Sequence, residues 1–251
     1  MQINAIIFDL GGTLIEYAGP FDGWPALETP GFAAAYAYLQ NEGVELPTFE
    51  LVRDKGFGML PGRWQMAMSG ERNLRLAELL AEVLAACGLT AVSPQIISAA
   101  SRKYENAVCA QAHPLAAAAE TLAELKIQGY KIGLLSNTMF TGQAHMADLH
   151  RFGLADYFDT LLFSADAAKW KPNAAPYLQV ADELGVVAET AVFIGDDPVN
   201  DILGGQRAGM RTIHIKSNER FPTLPTIKPD AQIISLTELP ELLLRWNNGT
   251  N

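Results

Sequence analysis

Short runs of β-branched and aromatic residues recur along the chain, each closing on polar residues, with longer stretches of helical period between them. Residues 3–8 run apolar into Asp9 and the turn-forming Gly11-Gly12-Thr13, which predicts a buried strand ending in a loop. The same pattern returns where Lys131–Leu135 precedes Ser136-Asn137, where Thr160–Phe163 precedes Ser164, and where Ala191–Ile194 precedes Gly195-Asp196-Asp197. Thr212–Ile215 and Ala231–Ile234 predict two further short strands. Helical period covers Leu115–Gln128, Gln143–Phe152, Ala174–Leu184 and Val199–Ala208. Apolar strands alternating with helices over residues 112–245 predict an α/β class with a parallel sheet and helices on both faces, because right-handed crossovers pack best that way. Reactive residues in such sheets gather at the carboxyl ends of the strands.

Residues 16–112 behave differently, with long helical patterns, notably Gly70–Cys87 and Pro94–Gln111, and almost no strand signal. They read as a helical insert after the first strand. Gly19, Pro20, Gly23 and Pro25 cluster at its entrance and His113-Pro114 marks its exit. The stripe Leu74, Leu76, Leu79, Leu80, Val83 and Leu84 reads as the core of the insert. No internal repeat or low-complexity tract interrupts the pattern, and the tail Asn247–Asn251 is expected to fray.

Charge narrows the partners. Lys+Arg of 18 against Asp+Glu of 28 leaves a formal charge of -10 on 251 residues, which disfavours nucleic acid and anionic membranes by long-range repulsion. An anionic substrate therefore needs strong local positive charge, such as a metal ion or a helix N-terminus. Cys87 and Cys109 lie in helical contexts and read as small apolar groups, which suits a reducing cytosol. The apolar start Ala5–Phe8 is too short for a signal peptide and lacks its basic flank, and no run reaches the length of a membrane span. The expectation is a cytoplasmic protein.

Four sites in order carry the chemistry: Asp9 in FDLGGTL, Ser136 in GLLSNT, Lys171 in KWKP, and Asp196 with Asp201 in IGDDPVND. That ordered set resembles the haloacid dehalogenase superfamily over nearly the whole chain, and YKIGLLSNT, FGLADYFD, KPNAAPYL and GDDPVNDILGGQRAGM look like counterparts in its phosphatase-like members. The resemblance implies a Rossmann-like three-layer core over residues 1–15 and 113–251 and an inserted α-helical cap over 16–112. It also implies a magnesium-dependent phosphohydrolase acting on a small phosphorylated metabolite. Asp9 as nucleophile and Asp196 as metal ligand suit the physics, since a carboxylate attacks a phosphoryl group only once a hard cation removes the repulsion between the two anions. By resemblance Asp9, the Gly11 carbonyl and Asp196 hold Mg2+, while Ser136, Asn137 and Lys171 bind the phosphoryl group. Lys171 is preferred to Lys169 because it directly precedes Pro172, as the family lysine does. Taken alone, Ser136 also suits a helix N-cap and Lys171 a solvated loop charge. Asp201 is expected to brace the lysine or a metal-bound water; Asp197 stays open between a surface residue and a secondary ligand.

The sequence departs from the phosphatase pattern at one position. Phosphatase members usually read Asp-x-Asp, the second carboxylate moving protons, and here that place is Gly11. General acid–base help worth about 10²–10⁴ in rate must come from elsewhere or be absent. Acyl, aryl or sugar-1-phosphates, whose leaving groups need less protonation, would suit such a site. The alternatives are a weakened or inactive metal- and phosphate-binding protein, a phosphonate hydrolase with Lys55 forming a Schiff base, or a dehalogenase, against which Asp196 and Asp201 count. Substrate choice is expected to lie on the insert, where Arg53, Lys55, Arg63, Trp64, Arg72, Arg75 and Lys103 are candidate contacts and Trp24 lies near the hinge. An insert on two linkers is also expected to close over bound substrate.

Overall fold

The computed structural model describes residues 2–17, 23–216, 220–222 and 224–249. Strands β1 (Ala5–Phe8), β4 (Lys131–Ser136), β5 (Thr160–Phe163), β6 (Ala191–Gly195), β7 (Arg211–Ile215) and β8 (Ala231–Ile233) form one sheet. Its order is β5-β4-β1-β6-β7-β8 and every neighbouring pair is parallel. Helices α5 (Ala118–Ile127), α6 (Gly142–Arg151) and α9 (Leu239–Asn247) cover one face, and α7 (Ala174–Glu183) covers the other. The two-residue period of β1 feeds both layers: Ile6 and Phe8 pack with Leu122, Leu149 and Leu243, while Ala5 and Ile7 pack with Tyr177 and Val180.

Register places the chemistry. Phe8 pairs with both Leu134 and Ile194, so Asp9, Ser136 and Asp196 emerge together at the carboxyl edge. After β1 the chain builds outward through β4 to β5, then returns to β6 and builds the other way. The sheet therefore changes direction beside β1, where open α/β sheets form their binding crevice.

Between β1 and β4 lie α1 (Trp24–Asn41), α2 (Phe49–Ser69), α3 (Leu76–Ala86) and α4 (Pro94–Cys109). The first two hold internal prolines, Pro30 and Pro61, each of which removes a backbone N–H donor from its helix. The expected helix from Gly70 starts instead at Leu76, because Gly70 is the left-handed end of α2 at φ 79°. Leu74, Leu79, Leu80, Val83 and Leu84 are buried in a core shared with Phe32, Tyr104 and Trp170. Two short strands lie beyond what the sequence pattern predicts: β2 (Ile15–Glu16) pairs antiparallel with β3 (His113–Pro114), so the chain enters and leaves the helical segment side by side. Gly19 and Pro20 lie outside the described residues.

The segment is seated firmly on the sheet layers. The Glu105 carboxylate accepts from Thr141 N at 2.9 Å and Thr141 Oγ1 at 3.0 Å, and Leu76 N donates to Met139 O at 2.9 Å. Asn73 Nδ2 donates to Ala165 O and Ala167 O, and Trp64 meets Trp170 edge-on at 4.8 Å. The expected helix over Val199–Ala208 begins as a wide π-turn, Pro198–Leu203, before one α-turn, Gly204–Arg207. The tail is better held than expected: Asn247 ends α9 and bonds Ile3 N at 2.7 Å and the Tyr130 hydroxyl at 2.9 Å, while Thr250 and Asn251 lie outside the described residues. Both cysteines are free, and among the described residues no helix is long and apolar enough to cross a membrane.

Candidate active site

Asp9 leaves the end of β1 with its N–H donating to Ile194 O at 2.8 Å, which fixes the carboxylate at the switch point. The next turn is tight. Gly12 has φ 85°, a backbone conformation that L side chains rarely adopt, and a Cβ there would run into the Asp196 carboxylate. Lys171 is 2% exposed and places Nζ 2.6 Å from Asp9 Oδ1 and 2.7 Å from Asp201 Oδ1. It is no solvated loop charge. Burial opposes its ammonium, but Asp201 and Asp9 more than compensate and hold its pKa above the ordinary lysine value.

Asn137 acts on that lysine's backbone: its Oδ1 accepts from Lys171 N and its Nδ2 donates to Lys171 O, both at 2.9 Å. Its amide is thereby occupied in positioning Lys171. Asp201 spends its other oxygen on Asp197 N at 2.9 Å, so it braces rather than reaches outward. Gly195 is required beneath it, since a Cβ there would overlap the Asp201 carboxylate.

Asp197 turns its carboxylate into the chain that follows it. Its Oδ1 accepts from Val199 N at 2.8 Å and Asn200 N at 3.0 Å, and its Oδ2 from Asn200 Nδ2 at 2.7 Å. It is the buried N-cap of the π-turn and not a surface residue. Ser136 is buried at the end of β4, and the cap of α6 falls to Thr141, so Ser136 is not that helix's N-cap.

Asp196 differs from its neighbours. Its carboxylate is buried, and Oδ2 accepts no hydrogen bond among the described residues. Burial pushes its pKa well above the ordinary carboxylate range; Arg220, with Nη1 3.8 Å from Oδ2, pulls it back, and the charges of Asp9, Asp201 and Asp197 push it further up. Carboxylate oxygens of Asp9, Asp196 and Asp201 lie within 4.8 Å of one another. Three carboxylates gathered this closely, one with a buried oxygen that accepts no hydrogen bond among the described residues, fit a hard cation such as magnesium.

These groups form the floor of a cavity of about 790 Å³ roofed by the helical segment. Among the described residues, Lys171 and Arg220 are the cationic side chains lining it. The candidate cations of the helical segment turn elsewhere. Arg63 and Arg72 pair with Glu82 at 3.3 and 2.8 Å, Arg75 donates to Ala165 O at 3.0 Å, and Arg53 pairs with Asp54 at 2.8 Å. Lys103 lies over the Tyr38 ring, and Lys55 is exposed and away from the cavity, which leaves the Schiff-base reading without its lysine. Of the candidate contacts on the helical segment, Trp64 and Trp24 do line it.

Several cavity residues carry no motif. A Cβ built on Gly11 would lie 3.4 Å from Arg220 Nη1 and 3.6 Å from the Tyr17 ring, so those two groups face the place of the second carboxylate. The Tyr17 hydroxyl shares a 3.0 Å hydrogen bond with His145 Nδ1, and His145 Nε2 shares one of 2.7 Å with Thr138 Oγ1. The His145 ring is stacked between Phe140 and Phe163. Cys109, His145 and Asp148 also approach within 4.8 Å, but both imidazole nitrogens are already engaged. Burial pushes His145 down from 6.5 to about 4. A histidine harder to protonate folded than unfolded gives stability that is complete above 6.5 and lost as pH falls toward 4. In urea unfolding, wild type should therefore lose about 2 kcal/mol more than His145→Gln between about pH 7.5 and about pH 5. Parallel pH profiles for the two proteins would contradict it.

A family model for haloacid dehalogenase-like hydrolases matches residues 3–209. The chain belongs to that family. This haloacid dehalogenase-like hydrolase is 29% identical over 150 residues to a glyceraldehyde 3-phosphate phosphatase of Methanopyrus kandleri, a match covering 60% of the chain and 64% of that relative, just under two thirds of its length. It is 29% identical over 258 residues to a ribulose-1,5-bisphosphate 5-phosphatase of Halopiger xanaduensis, with 96% of the chain and 99% of the relative covered. Among solved structures it superposes on a 2-haloacid dehalogenase from Pseudomonas syringae pv. Tomato with a TM-score of 0.72 at 26% identity, covering 98% of this chain and 100% of that one.

Proposed function

We propose that this hydrolase is a magnesium-dependent phosphohydrolase of small phosphorylated metabolites, working through an aspartyl-phosphate on Asp9. The observation that carries the reading is the buried pairing of Lys171 with Asp9 and Asp201 beside an Asp196 oxygen that accepts no hydrogen bond among the described residues. The curated relatives described above are named for phosphorylated substrates, which supports phosphoryl chemistry. We also propose the division into a core of residues 1–15 and 113–251 and a cap of residues 16–112, since the paired strands β2 and β3 lie at that boundary.

Lys171 holds Asp9 Oδ1, leaving Oδ2 to attack phosphorus. An Oδ2–P bond forms as the bond from phosphorus to the ester oxygen breaks, and the leaving oxygen departs with the electron pair. Ser136 and the Lys171 ammonium hold phosphoryl oxygens during that transfer. Water then cleaves the acyl phosphate, releasing inorganic phosphate and restoring the Asp9 carboxylate. Asp9, Asp196 and the Gly11 carbonyl are assigned as the protein ligands of Mg2+, which when bound offsets the charge of nucleophile and phosphate and polarises phosphorus. A dehalogenase reading gives the Asp196 oxygen no role.

Metal removal tests this. Turnover of p-nitrophenyl phosphate should disappear with EDTA and return with Mg2+, and Mg2+ at a hundred times its Kd should raise stability by about 2.7 kcal/mol. Turnover indifferent to chelation would refute the metal-assisted mechanism.

A further inference from the structure

The helical segment lines the cavity mainly with apolar side chains, Trp24, Leu27, Leu60, Trp64, Met68 and Val108, with Gln65, Ser69 and Glu28 as its polar members. Trp24 is braced edge-on by Phe57 at 5.2 Å and Trp64 by Trp170 at 4.8 Å, so the aromatic faces are held rather than adaptable. No arginine or lysine of the helical segment lines this wall among the described residues. A second phosphate on the ligand would leave water for an apolar surface without a counter-charge, a costly transfer. Sugar hydroxyls would lose water hydrogen bonds there, with Gln65, Ser69 and Glu28 as the polar side chains available to replace them. The carboxyl in this wall, Glu28, is pushed up to about 7 by burial, with the Tyr104 hydroxyl holding it back slightly, so it too tends to be uncharged below neutrality.

A second observation comes from the other end of the cavity. Gly11 offers no proton, and two groups face it: the Arg220 guanidinium, which stabilises negative charge but does not release a proton at ordinary pH, and the Tyr17 ring, whose hydroxyl is engaged with His145 Nδ1 at 3.0 Å. That pairing suits an oxygen that leaves as an anion rather than as an alkoxide requiring protonation.

We propose that the substrate is a monophosphate ester whose organic part is apolar and leaves as a stabilised anion, an aryl phosphate in the simplest case, rather than a sugar phosphate or a bisphosphate. The chemistry at phosphorus rests on the phosphohydrolase reading; the preference for apolar groups rests on the cavity wall alone. The bond broken joins phosphorus to the aryl oxygen, the electron pair stays on that oxygen, and the phenolate takes its proton from solvent.

The test measures kcat/KM of wild type and, separately, binding to Asp9→Asn by calorimetry, both with Mg2+. The panel is phenyl phosphate, naphthyl phosphate, a hexose monophosphate and a hexose bisphosphate. Naphthyl phosphate should exceed phenyl phosphate by about tenfold in both readouts, from the extra ring buried. It should exceed both sugar compounds by about a hundredfold, through their unpaired polar groups. Binding in that order with no turnover of any compound by wild type would uphold the apolar preference and remove the phosphohydrolase reading. Turnover with a sugar compound equal to or above naphthyl phosphate would overturn the apolar preference and leave the phosphohydrolase reading standing.

Discussion

Asp9→Asn should lower kcat toward p-nitrophenyl phosphate by about 10⁴-fold or more, the scale seen when a nucleophile is removed from an otherwise intact site. The substitution is nearly isosteric, and its amide oxygen can still accept from Lys171 Nζ, now 2.6 Å from Asp9 Oδ1. Lys171 also keeps Asp201 at 2.7 Å, so the buried ammonium retains an anionic partner. What disappears is the charge that attacks phosphorus. The same change removes one of the carboxylates crowding Asp196. Melting temperature should therefore hold or rise while activity collapses, since like charges brought together for function cost stability. Equal turnover by the two proteins would point to a scaffold or to another catalytic group.

Gly11→Asp should act in the opposite direction. Gly11 is free of the backbone constraint that governs Gly12, and the atoms nearest to a Cβ at this position lie at 3.4 Å or beyond, so a side chain can be accommodated. A carboxyl there restores a proton donor beside the leaving oxygen, and alkyl phosphates, which depend on protonation, should gain about 10²-fold in kcat. Aryl phosphates, whose oxygens leave unaided, should gain little. Arg220 lies against the new side chain and would favour its ionised form, so the gain should grow as pH falls. Unchanged alkyl phosphate turnover across that pH range would show that proton delivery does not limit the natural protein.

The legible part of the site is the part carried by strand ends. Asp9, Ser136 and Asp196 each follow an apolar run, and a parallel sheet in register necessarily brings those ends together. Lys171 is legible only through its motif, because nothing in the residues around it announces a buried double ion pair. Asp197 is undecidable in sequence because a surface residue and a secondary ligand require the same side chain; its burial and three acceptor contacts make it an N-cap instead of a surface residue. The start of α3 departs from the sequence pattern because a left-handed glycine and the Asn73 contacts interrupt a continuous helical period, and both are features of packing.

Sequence alone determined the layered α/β architecture, the helical insertion after β1 and the ordered acidic and basic positions, since each depends on periodicity or on short motifs. Tertiary structure decided that Arg220 and Tyr17 face Gly11, that His145 is bound at both nitrogens, and that Arg63 and Arg72 pair with Glu82 instead of lining the cavity. The physical reason is distance along the chain: Arg220 and Gly11 are brought together by the whole sheet, and local hydrophobic pattern carries no record of which distant side chain fills a given space.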